Sequence, residues 1–145
     1  MTHTTDAACL HDYVLLGYRV DCKRRTIVLR AEYLERGAGS GPRVGGTEVT
    51  FAGVEAYHFH DDAFGNIIFE LKELDFETLW REQRDALRAS HTRSGAAPWA
   101  VSDDRALEYL RKHAVRAYQL SSSIGLSGWV FAREVTTASS QGEEP

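Results

Sequence analysis

The sequence predicts an α+β fold: a mainly antiparallel sheet of about six strands in the order ββββααββ, with two helices packed on one face. Three observations carry that reading. Apolar residues recur every second position through most of the first half of the chain, the signature of half-buried strands. From Asp75 the period changes to that of a helix, and after Val115 it returns to two. The length of 145 residues, with 43% hydrophobic and 26% charged residues, suits one folded domain with a single substantial core.

The elements follow in order. Val14, Leu16, Tyr18 and Val20 alternate, as do Ile27, Leu29, Ala31 and Tyr33, on either side of a charged turn from Asp21 to Arg25; two antiparallel strands are expected. Gly37 to Gly46 is glycine-rich and reads as a flexible connection. It lacks the lysine and hydroxyl of a P-loop and the spacing of a dinucleotide-binding turn. A third strand is predicted from Glu48 to His60, with Gly53 marking a bulge or a close backbone approach. Ala63 to Asn66 supply a turn, and Ile67, Phe69 and Leu71 resume the alternation.

Asp75 is the expected N-cap of a helix to about His91, in which Phe76, Leu79, Trp80 and Leu87 form the apolar stripe. Gly95 and Pro98 break it. Ser102, Asp103 and Asp104 then open a second helix carrying Ala106, Leu107 and Leu110, with Lys112 and His113 suiting its C-terminal pole. Strands from Val115 and from Trp129 to Val135 complete the sheet. The domain is expected to span residues 1–136, with 137–145 a loose tail. Expected core residues are Val14, Leu16, Tyr18, Ile27, Leu29, Phe51, Val54, Ile67, Phe69, Leu79, Trp80, Leu107, Leu110 and Val130.

Charge and composition exclude several classes of function. Seventeen basic against 21 acidic residues give a net charge of −4. Residues 1–74 carry 8 basic and 11 acidic side chains and residues 75–145 carry 9 and 10, so neither half holds the basic field a nucleic-acid partner requires. The first twenty residues have no basic segment followed by an apolar core, and no stretch is long enough to span a bilayer. A cytoplasmic protein without a membrane partner is expected. Cys9 and Cys22 are the two cysteines, too few for a disulfide framework or a four-thiolate zinc site.

Chemistry-bearing motifs are sparse. His58 and His60, two apart on a strand, point to one face, where two imidazoles could share a metal with Asp61 beside them. The segment His58-Phe59-His60-Asp61-Asp62 resembles the histidine motif of metallo-β-lactamase-like hydrolases. Ala63 stands where that family has its last histidine, and no later segment supplies the remaining ligands. Gly125-Leu126-Ser127-Gly128 is one residue short of a nucleophile elbow. Trp99, in a loop after Pro98, is the favoured partner-contact residue, since an exposed indole is a common interface anchor. The expectation is therefore a non-catalytic chain with no cofactor.

Leu10-His11-Asp12 followed by two alternating strands, and Val49-Thr50-Phe51-Ala52-Gly53-Val54, together resemble a group of small bacterial proteins that includes immunity proteins of polymorphic toxin systems. The strand around Gly128-Trp129 is similar to the one that closes some of them. The resemblance covers roughly the first half of the chain. It implies a protein-binding domain that neutralises a cognate bacterial toxin and assigns no site residues; His11 and Asp12, along with Trp99, are candidate contact residues. Two alternatives are a small metal-dependent enzyme using His58, His60 and Asp61, and an oligomeric structural adaptor that pairs copies through sheet edges.

Overall fold

The computed structural model describes residues 6–8, 10–33 and 46–140. The fold is α+β, with β1 (Asp6–Ala8), β2 (Tyr13–Asp21), β3 (Thr26–Tyr33), β4 (Gly46–Ala52), β5 (Ala56–His60), β6 (Asn66–Leu74), α1 (Phe76–Ser94), α2 (Asp103–Lys112), β7 (Arg116–Ile124), β8 (Ser127–Ala132) and β9 (Glu134–Ser140). Every pairing is antiparallel. Eight strands form the path β5-β8-β7-β6-β2-β3-β4-β9, and β1 pairs β6 beside β2.

Six strands, two helices and three strands replace the expected ββββααββ order, and two of the three additional strands come from breaks in predicted ones. The predicted strand 48–60 breaks at Gly53 into β4 and β5; the predicted final strand breaks at Arg133 into β8 and β9 and continues to Ser140. Residues 137–140 are thus paired with β4, where a loose tail was expected. The predicted glycine-rich connection lies, apart from Gly46, outside the described residues.

The two breaks face each other. Ala52 pairs Glu134 on one side and Ala56 pairs Phe131 on the other, while Arg133 N–H donates to Ala52 O (3.0 Å) and Glu55 N–H to Phe131 O (2.8 Å) across the bend. Gly53 holds φ 64°, and a Cβ there would lie 2.9 Å from the Arg133 side chain, so glycine is required where the strands cross. Since β4 runs into β5 and β8 into β9, the pairing path returns on itself in the manner of a barrel.

Two apolar clusters result. Leu15, Ile27, Leu29, Val49, Phe51, Ile68, Leu71, Tyr118, Leu120 and Val130 fill the interior of the curved sheet. Trp129, Phe131 and Ala117 point outward and pack with Leu79, Trp80, Leu87, Trp99, Ala106 and Leu110 of the helical layer. β8 is therefore buried on both faces, which explains its run of apolar residues.

Side-chain direction departs from strict alternation in two strands. In β2 the register shifts between Leu15 and Gly17, so Leu15 points inward and Leu16 is 49% exposed. Tyr18, also expected in the core, is exposed. In β6 shifts at Ile67/Ile68 and Ile68/Glu70 bury Ile68 and Leu71 and leave Phe69 47% exposed. A bulge adds one residue and so inverts the phase of everything on one side of it.

α1 ends and α2 begins with the expected caps, whereas Asp75 occupies the N-cap position of α1 without a side-chain cap hydrogen bond. Gly95, at φ 80°, caps α1 by donating to His91 O, and the Ser102 side chain accepts from Arg105 N–H at the start of α2. Asp103 joins them: its carboxylate accepts from Trp80 Nε1 (3.0 Å) and Arg84 Nη1 (2.8 Å). The Trp80 hydrogen bond, assisted by Arg84, holds the Asp103 pKa below its ordinary value of 3.8. A carboxylate depressed by folding contributes stability that is complete above its unfolded value and is lost as pH falls through the folded one. Thermal melts of Asp103→Asn should therefore approach the wild-type melts as pH falls below about 4, whereas at neutral pH the variant melts at a lower temperature.

Candidate functional site

The most elaborate polar site gathers around Glu55, in the bend between β4 and β5. The β2–β3 turn reaches it first. Arg25, in the left-handed region at φ 57°, accepts from Val54 N–H through its carbonyl (3.0 Å) and donates from Nε to Val54 O (3.1 Å). That exchange fixes the Arg25 guanidinium, whose Nη2 donates to Glu55 Oε1 at 3.4 Å.

Three further donors converge from elsewhere. Arg133 Nη2, at the β8–β9 break, donates to Glu55 Oε2 at 3.1 Å; Tyr109 Oη on α2 does so at 3.1 Å; Trp99 Nε1, in the interhelical loop, reaches Oε1 at 3.3 Å. The Glu55 side chain is only 6% exposed. A carboxylate removed from water in this way requires such a complement of charged and neutral donors. Tyr109 has its hydroxyl pKa raised, first by burial and then by the adjacent Glu55 charge. The Trp99 and Tyr109 rings lie parallel, 7° apart with centroids at 5.7 Å, and His113 leans on Tyr109 at 4.2 Å.

Two concavities flank this cluster and share Arg25 and Glu55. One, of about 430 Å³, lies between α1 and the sheet, where Ala56, Ala86 and Ala97 leave space over Trp129 and Leu87. The other, of about 620 Å³, lies against α2.

The residues singled out from sequence are dispersed. Trp99 is 6% exposed, held inward by Glu55 and by edge-on packing on Phe131; the indole expected at a contact surface is a packing residue. His58 and His60 share a face, with ring centroids 5.5 Å apart, and His60 Nδ1 lies 3.0 Å from Asp61 Oδ2. His58 also stacks on Trp129. Among the described residues no group of three or more His, Cys, Asp or Glu side chains is placed to hold a metal ion. Cys22 is exposed, and Cys9 lies outside the described residues.

His11 and Asp12 are exposed and pair at 3.3 Å, with the His11 ring edge-on to Phe69 at 5.3 Å. Phe69 belongs to an outward-facing apolar strip. Val14 pairs Ile67 and Ile67 pairs Ile124 in register across β2, β6 and β7, with Leu16 on the adjoining bulge. Phe69 and Ile124 are 47% and 53% exposed. The Glu70–Lys72 ion pair (3.4 Å) follows Phe69 along β6, between this strip and Leu74, which packs with the helical layer.

No protein-family model, no curated protein and no solved structure matches the chain. No helix among the described residues is long and apolar enough to cross a membrane.

Glu55 left no local signature in sequence, because its partners stand 30, 44, 54 and 78 residues away. The weight of this cluster is directly measurable. Glu55→Ala removes the acceptor shared by two half-exposed arginines, a buried indole N–H and a part-buried phenol, and should lower unfolding free energy by about 1–3 kcal/mol in denaturant titrations. Glu55→Gln keeps one acceptor oxygen, for the Trp99 indole or the Tyr109 hydroxyl but not for both, since these donate to different oxygens of Glu55, and should lose less.

Proposed function

We propose that the chain is a non-catalytic protein-binding domain whose contact face is the outer surface of β2, β6 and β7. The observation that carries this reading is the strip of exposed Leu16, Phe69 and Ile124 with part-buried Val14 and Ile67 beside them, on three strands that the helices leave open. A contiguous exposed apolar patch on an otherwise well-solvated protein marks an interaction surface. Its anatomy suits a protein partner: an apolar centre with Phe69 as aromatic anchor, and a polar rim supplied by His11, Asp12, Glu70 and Lys72.

The sequence likeness to immunity proteins of polymorphic toxin systems names the partner in this proposal, a cognate bacterial toxin domain. His11 and Asp12 fall within the Leu10-His11-Asp12 segment that carries the likeness and also border the apolar strip. Neutralisation in this reading is occlusion by binding and consumes no substrate. With net charge −4 spread over both halves of the chain, recognition rests on shape and the aromatic anchor more than on a long-range field.

The test is co-expression with the toxin-like product of a neighbouring gene. A stoichiometric complex and restored growth are expected, and Phe69→Arg or Ile124→Arg should weaken binding by at least about tenfold, as for anchor residues at an interface centre. Absence of a complex contradicts the proposal, as does a complex indifferent to both substitutions. Light scattering that shows the strip buried in a self-dimer abolished by Phe69→Arg would assign the face to a second copy instead.

A further inference from the structure

The concavity against α2 is a separate feature with its own chemistry. Arg105, Glu108, Tyr109 and Lys112 stand at i, i+3, i+4 and i+7, one stripe of α2, and all four line the cavity of about 620 Å³ whose opposite wall is Arg25, Glu55 and Arg133. Four permanent cations therefore meet two carboxylates. One of these, Glu55, is buried and already engaged by Arg25 and Arg133. Arg105 and Lys112 form no ion pair among the described residues.

The arginines on the sheet side are held in place yet not exhausted. A guanidinium carries five N–H donors. Arg25 directs one to Val54 O and one to Glu55, and Arg133 directs one to Glu55. Both side chains remain about half exposed, at 58% and 46%. Anchored guanidiniums with free donors are pre-oriented for bidentate contacts to phosphate or carboxylate, and Lys112 and Arg105 face them across the cavity. Tyr109 and His113 add an aromatic wall beside these charges.

We propose that this cleft binds a small polyanion, a molecule bearing phosphate or clustered carboxylate groups. The volume lies within the roughly 300–1,000 Å³ of small-molecule sites, and the local excess of positive charge, in a chain that is negative overall, selects an anion. The cleft shares no residue with the apolar strip on β2, β6 and β7, so it stands whether or not that strip binds a protein.

The experiment is an NMR titration of the full chain with pyrophosphate and, separately, with citrate, at an ionic strength held constant with sodium chloride. Saturable shifts of the Trp99 indole N–H and the His113 ring are expected with at least one anion, and the tighter binder identifies the headgroup. The double variant Arg105→Gln/Lys112→Gln, changed only at exposed positions, should keep the wild-type spectrum and bind about tenfold more weakly, as loss of charge-assisted contacts requires. Linear, unsaturating shifts with both anions overturn the proposal. Equal affinity in the double variant overturns it as well.

Discussion

The carboxylate of Glu55 is the point on which the two layers of the molecule are hinged together. It sits where β4 turns into β5, opposite the place where β8 turns into β9, and accepts from an arginine on each flank. It also accepts from Trp99 and Tyr109 of the helical layer. A buried charge of this kind is costly alone and is tolerated because four donors replace its water. The consequence is geometric: one acceptor sets the distance between the bend of the sheet, the interhelical loop and α2. Gly53 makes the bend sterically feasible, and Glu55 decides what docks against it.

That docking divides the outer surface of the sheet. Where β7 and β8 face outward, Ala117, Trp129 and Phe131 are covered by α1 and α2. Where β2, β6 and β7 face outward nearer the β6 start, Ile67, Phe69 and Ile124 are left in contact with solvent. The same cluster also shapes the two concavities, since Arg25 and Glu55 belong to the walls of both. A further tie operates at the start of β6. Buried Asn66 accepts from Ala63 N–H and Leu126 N–H and donates to Asp62, and a Cβ on Gly125 would fall 2.0 Å from its Oδ1. Glycine at 125, with φ 95°, is thus a steric requirement of that junction.

The fold class, the two helices and most strand positions were legible because they rest on local periodicity and capping: Ser102 before Asp103 and Asp104, Gly95 after α1, alternation in β3 and β7. What was not legible depends on long-range register. A single extra residue at Leu16 and two shifts in β6 turned Leu16 and Phe69 outward and brought Leu15 and Ile68 inward, which alternation alone cannot reveal. Gly53 was readable as an irregularity, but that it faces a matching break at Arg133, so splitting two predicted strands into four, follows only from their pairing. Trp99 illustrates the limit for sites. A loop indole after a proline suggests exposure, and its burial follows from an acceptor 44 residues away. His11 and Asp12 emerge beside the apolar strip, a juxtaposition made by the bulge that exposes Phe69.

The claim that Glu55 couples the sheet bend to the helical layer is tested most directly by native-state hydrogen exchange at the Trp99 indole N–H and at the backbone amides of Glu55 and Arg133. All three are expected to exchange together, with protection approaching that of global unfolding. An indole N–H that exchanges as freely as in a solvated peptide, while the two amides stay protected, would contradict it.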